Sequence, residues 1–168
     1  FCQEGEYEIR PDTGQPWLTA TGVTMCNHFN QAMNPIATSK FYQNLKPPAK
    51  QHWENTWDYL SMETVDLAFG YLHGGISQQT SYYGLWKNGY TDPNQMAHTM
   101  SMRLGDETNG QRGLSILATY SCQTFSHDEY IWARLGNLFR GGLRMGLGSH
   151  VLVPFGASSE NVGKTMAE

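Results

Sequence analysis

Charge is scarce in this chain. Of its 168 residues, 11 are basic and 15 acidic, so that charged side chains make up 15% of the whole, against about 25% in an ordinary soluble domain. With so few cations and a formal net charge of −4, there is no basic stripe to neutralise a phosphate backbone, and a nucleic-acid partner is excluded. The acidic excess is equally too small for a disordered acidic tail. Long hydrophobic runs are missing too: none approaches the ~18 apolar residues that suggest a membrane span. Cysteine is sparse, with Cys2, Cys26 and Cys122, too few for a dense disulfide frame. A single domain of this length does not need one.

Several site patterns are also absent. There is no H-E-x-x-H, no Cys-x-x-Cys and no Cys-x-x-Cys-His, so zinc, thioredoxin-like and c-type haem readings lack support. His28, His52, His98 and His150 have no ligand-like spacing. Gly141-Gly142 and Gly146/Gly148 do not spell a G-x-G-x-x-G or a P-loop, which argues against nucleotide binding. His127-Asp128-Glu129 are neighbours pointing different ways, and a helix cap explains them without metal. No metal and no cofactor is expected.

What is present is a soluble composition generous in Gly, Asn, Gln, Tyr and Trp, with five lysines. It leans towards an exported, secreted or cell-surface protein. An odd cysteine count leaves at least one thiol unpaired. Cys2 and Cys26 share the N-terminal segment and suit a bridge in an oxidising compartment, the alternative being three reduced thiols in a cytosolic protein. The chain opens at Phe1 rather than Met and ends at Glu168 in a helix-like stretch, which reads as a processed or incomplete product.

Along the chain, Glu4 to Pro16 reads as extended or loop, punctuated by Pro11, Gly14 and Pro16. Trp17 to Phe29, rich in β-branched and aromatic residues, predicts a strand. A helix is expected within Gln31 to Leu45, after Pro35 and before Pro47-Pro48. Trp53, Trp57 and Leu60 share a short helical face suited to core packing. Val65 to Leu72 and Leu114 to Tyr120 are short apolar runs, as in parallel strands buried on both faces. The stretch 76–112 between them reads as a variable loop insertion. Ser126 and Glu129 form an S-x-x-E capping box for a helix whose face is Ile131, Trp132, Leu135, Leu138 and Phe139, stopped by Gly141-Gly142. Leu143 to Phe155 predicts a further strand with a Gly-rich bend, and Ser159 onward a helix. Strand, helix and strand alternate, which argues for one α/β domain over 1–168: a three-layer α/β/α sandwich with a mostly parallel sheet.

Both apolar runs end in residues with chemistry. His73 follows the first, in LHGG, and Cys122 the second, in YSCQT. Open parallel sheets build sites at the carboxyl ends of their strands. If the two strands are parallel neighbours, residues 49 positions apart in the chain meet at one edge. A thiol is a poor nucleophile until a neighbouring imidazole activates it, so the pair suits nucleophilic catalysis. Asp66 stands at the other end of the first strand, ~20 Å from His73 at ~3.3 Å per residue, and is not expected to orient it.

An apolar strand ending in His-Gly, followed about 50 residues later by a strand ending in a small residue plus Cys, resembles the caspase-like cysteine peptidases, the clan of caspases, gingipains, legumains, clostripain and separase. The resemblance covers Val65 to Phe155. Phe139–Gly148 is also similar to an F-x-G-L-x-x-x-L-G stretch of uncharacterised bacterial caspase-like domains. It implies a caspase-like fold and a cysteine endopeptidase that hydrolyses peptide bonds with no cofactor. Cys122 would attack the carbonyl and His73 would protonate the leaving amine. The amides of Gly74 and Cys122 would form the oxyanion hole.

The chain departs from the caspase signature Q-A-C-x-G, since Thr124 stands in place of its glycine. The specificity residues are unknown: Arg103, Arg112 and Asp106 suit either a basic or an acidic pocket, or a solvated surface. Tyr82, Tyr83, Trp86 and Tyr90 suit a substrate cleft, an interface or core cover. The alternative is a non-catalytic caspase-like domain, exported and self-assembling as a homo-oligomer or binding other proteins.

Overall fold

The computed structural model describes residues 2–4, 19–38, 53–54, 64–84, 96–106 and 113–153, with main chain alone at 2–4, 19–24, 71, 73 and 84. The sequence expectations for residues 5–18, 39–52, 55–60, 85–95, 107–112 and 154–168 lie outside these; among them are Trp57, Leu60, Trp86, Tyr90, Arg112 and the helix from Ser159.

The framework is a four-stranded sheet made of β1 (Cys2–Glu4), β2 (Leu67–Tyr71), β6 (Ile116–Tyr120) and β7 (Met145–Leu147), in the order β1-β2-β6-β7. Each neighbouring pair is parallel. The expected runs therefore do form parallel neighbours, in the register Leu67↔Ile116 through Tyr71↔Tyr120. Strand periodicity divides their side chains. Phe69 and Ala118 face one side, with Met25, Cys26 and Phe29, while Ala68 and Leu117 face the other, with Trp53, Tyr83, Met102, Leu104 and Leu138. Apolar cover on both faces is why the two runs are unbroken in sequence. The class is α/β.

The first cover is a helix where a strand was expected. Residues Thr19–Met33 form α1, so the expectation of a strand from Trp17 to Phe29 fails over its described part. Thr19, Thr21, Val23 and Thr24 carry β propensity, but helices owe most of their stability to packing one face. Met25, Cys26 and Phe29 recur at helical spacing and are all buried. Phe29 stacks on Phe69 of β2, with ring centroids 4.8 Å apart and 13° between planes. The helix stops ahead of Pro35 in a turn closed on the Met33 carbonyl, not beyond it, because proline has no N–H to continue the ladder.

The second cover starts at His73. Within the expected loop 76–112, two strands are present: β4 (Ser81–Gly84) and β5 (Met96–His98) join β3 (His73–Ile76) in an antiparallel sheet. Tyr83 of β4 and Ala97 of β5 are fully buried, which gives this sheet an apolar face towards the parallel one. Trp53 lies between them, its ring 5.0 Å from that of Tyr83. The Glu54 carboxylate accepts the His98 N–H at 3.0 Å and ties this turn to β5.

The capping box is not made. The helix begins at Ile131, with Tyr130 as N-cap and no side-chain cap bond, and runs only to Leu135 as α2; a 3-10 turn follows at Leu138–Gly141. Asp128 takes over the local satisfaction, accepting from the Tyr130 N–H at 2.9 Å and from Arg134 Nη2 at 2.7 Å. The Arg134 guanidinium beside it holds the Asp128 carboxyl below the usual carboxylate value. Leu135 of α2 and Leu138 of the 3-10 turn are buried, while Trp132 is 77% exposed and does not join the expected apolar face. The expected strand Leu143 to Phe155 shrinks to β7. Its glycines serve packing: the Phe125 ring lies against the Cα positions of Gly146 and Gly148, where any side chain would collide. The chain then folds back as a short strap, residues 149–153, over the end of β6.

Candidate active site

At the carboxyl edge of the sheet, β2 and β6 end level with each other. The Leu72 N–H donates to the Tyr120 carbonyl at 3.2 Å, one rung past the paired strands. The next residues are His73-Gly74 on one side and Ser121-Cys122 on the other. His73 does not end β2; its main chain opens β3, opposite Gly84. Gly74 lies directly on the cysteine turn. A Cβ there would stand 2.6 Å from the Cys122 carbonyl oxygen, 2.5 Å from Thr124 Cγ2 and 3.0 Å from Ser121 Cβ. The glycine is therefore required by contact between the two segments, a reason independent of any substrate.

Among the described residues Cys122 is a free cysteine, partly exposed; Cys26 is disulfide-bonded. The Cys122 Sγ sits between both polar groups of one peptide residue. It accepts from the Val153 N–H at 3.5 Å and donates to the Val153 carbonyl at 3.7 Å. Beside it, the Gln123 N–H donates to Val151 O and the Phe125 N–H to Ser149 O, each at 3.0 Å. The strap thus runs antiparallel to residues 122–125 with its main chain over the thiol. Nothing in the side-chain pattern signals this strap, because the contacts are made by backbone.

Beneath the thiol the turn is polar and closed. Ser121 Oγ and Thr124 Oγ1 are 2.7 Å apart, and Ser81 Oγ of β4 donates to the Thr124 carbonyl at 2.8 Å. Ser81, Ser121 and Thr124 are all fully buried. Thr124, the departure from the caspase signature, is therefore a pin in the turn. Thr99 extends the network, with its hydroxyl 3.0 Å from the Ser81 carbonyl and 2.7 Å from that of Arg134.

Tyr83 lies against this network and is incompletely satisfied. Its hydroxyl is buried and makes no hydrogen bond of proper geometry. Burial pushes the phenol up to about 12, opposed only in part by the Thr119 and Thr124 hydroxyls nearby. An unfolded chain releases that proton near pH 10, so the folded state binds more protons between the two values and stability falls as the pH rises from 10 to 12. Tyr83→Phe removes both the titration and the unpaired hydroxyl. The variant is expected to be at least as stable as the parent at pH 7, by up to about 1 kcal/mol, and to lose less stability above pH 10. Urea midpoints at pH 7 and pH 11 check both statements.

Arg103 and Asp106 pair with each other at 3.7 Å, partly exposed. Tyr82 is half-buried, its ring against Gly75. Among the described residues, no three His, Cys, Asp or Glu side chains are grouped to hold a metal ion, and no helix is long and apolar enough to cross a membrane. No family model, no curated protein and no solved structure matches the chain.

Proposed function

We propose that this chain is a cysteine endopeptidase-like domain of the caspase-like clan, an α/β domain whose nucleophile is Cys122 and whose general acid–base is His73. The reading rests above all on the parallel, level pairing of β2 and β6, which sets His73-Gly74 beside Ser121-Cys122 at one carboxyl edge. Sites in open parallel sheets form at such edges. In the reaction, the Cys122 thiolate attacks the peptide carbonyl carbon and the oxyanion is met by the amides of Gly74 and Cys122. The C–N bond then breaks, His73 protonates the leaving amine, and water hydrolyses the thioester to free the thiol. Neither metal nor cofactor enters. The disulfide at Cys26 supports a secreted or cell-surface location, where such bonds persist.

One observation favours a second reading. The thiol is engaged by the Val153 main chain, which suits a non-catalytic domain that binds partners or assembles into a homo-oligomer. Iodoacetamide alkylation of Cys122 across pH 5–9, read by peptide mass spectrometry, separates the two. The peptidase reading expects fast labelling near neutral pH that falls about tenfold or more in His73→Ala, together with cleavage of a peptide library that is lost in Cys122→Ala. Slow labelling in both proteins and an uncut library leave the interaction module standing and remove the enzyme.

A further inference from the structure

We infer that Thr124 is a positioning residue for the Cys122 thiol, acting through its hydroxyl bond to Ser121, an inference that rests on the reading of Cys122 as the nucleophile. The bond spans the cysteine: one oxygen belongs to the residue before it, the other to the second residue after it, and they lie 2.7 Å apart in full burial. Ser81 fixes the same segment from the antiparallel sheet through the Thr124 carbonyl. Between the two ends, Gln123 has a φ of 55°, a left-handed conformation uncommon outside glycine. Such a conformation persists where its surroundings over-determine it. Here the surroundings are the hydroxyl pair below and the Val151 carbonyl above.

Thr124 has two separable tasks. Its methyl lies against Gly74 and its hydroxyl closes the turn. Thr124→Val keeps the branched shape and removes the hydroxyl, leaving Ser121 Oγ with Thr119 Oγ1 at 3.4 Å. Thr124→Ser keeps the hydroxyl and removes the methyl. A merely structural threonine predicts that both variants lower the melting temperature and leave the thiol chemistry alike. A positioning threonine predicts that they part in reactivity.

The test is the rate of Cys122 alkylation by iodoacetamide from pH 5 to 9, in each variant with and without His73→Ala, alongside melting temperatures. Thr124→Val is expected to label about fivefold more slowly than the parent, the size of one net hydrogen bond, and to lose its dependence on His73. Thr124→Ser is expected to keep the parent's pH profile and its His73 dependence. Ser121→Ala removes the same bond from its other end and is expected to reproduce the valine result, so a valine variant that fails to fold does not end the test. Equal profiles for the valine, serine and alanine variants overturn the positioning role while the parent's dependence on His73 still supports the nucleophile. A parent thiol that is slow and indifferent to His73→Ala overturns both.

Discussion

Trp53→Ala is expected to cost about 3–5 kcal/mol of stability, a large share of the roughly 5–15 kcal/mol that holds an ordinary domain together. The indole is fully buried and fills the space between the two sheets. On one side it meets Tyr83 of β4 at 5.0 Å between ring centroids. On the other its Cη2 lies 2.9 Å from where a Cβ at Gly70 of β2 would stand, so the parallel strand is shaped to receive it. Truncation leaves a cavity walled by two elements that are each tied elsewhere: β2 is fixed by its rungs to β6 and β4 by its rungs to β3 and β5. Walls held in this way close only partly, which puts the cost in the upper part of the range for a large-to-small change. Urea unfolding should show a lower midpoint with an unchanged slope. Trp53→Phe, which keeps an aromatic body, should recover a substantial fraction of the loss.

The second large effect is expected at Gly74. Gly74→Ala places a methyl 2.6 Å from the Cys122 carbonyl oxygen and 2.5 Å from Thr124 Cγ2. One of these neighbours is backbone and cannot rotate away, so the β3 and β6 segments must separate. Overpacking of this kind costs about 1–3 kcal/mol and occasionally more, and the upper end is expected because the turn is also pinned from Ser81. Thr124→Ser removes the methyl half of the collision and leaves the carbonyl half. The double variant Gly74→Ala/Thr124→Ser should therefore be more stable than the two single losses added together, a coupling of the kind seen between residues in contact. A double-mutant cycle by urea unfolding measures it, and strict additivity would show that the contact is not the source of the cost.

The parts of this fold that were legible in sequence are those whose side chains alone decide the structure. Ala68, Phe69, Ala118 and Leu117 alternate between two apolar surroundings, and the resulting unbroken runs mark β2 and β6 to within a few residues. Helix α1 was misread because its threonines and Val23 favour a strand in isolation. Its stripe of Met25, Cys26 and Phe29 acquires meaning only against Phe69 and Ala118, which lie far along the chain. The three-residue strands β1, β5 and β7 are too short for alternation to show. At the candidate site, the level ends of β2 and β6 could be read from the two apolar runs, whereas His73 and Gly74 open β3 instead of ending β2 and the hold on the thiol comes from the Val153 main chain, which leaves no trace in residue type. The capping box failed for a related reason: Arg134 reaches back to Asp128 and to the Ser126 carbonyl, and a local four-residue pattern does not register that competition.

Every rung of the main sheet joins distant stretches of polypeptide: Cys2 with Phe69, Leu67 with Ile116, Ile116 with Met145. Parallel neighbours cannot be zipped from a tight hairpin, so loop-closure entropy opposes each pairing before any contact offsets it, and chains built on such non-local pairings fold slowly. The antiparallel strands β3 and β4, four residues apart, face no such delay. The order of assembly that follows is a small hairpin early and the β2–β6 ladder late. Until that ladder closes, Gly74 and the Cys122 turn are not yet neighbours, and the carboxyl edge they share does not exist.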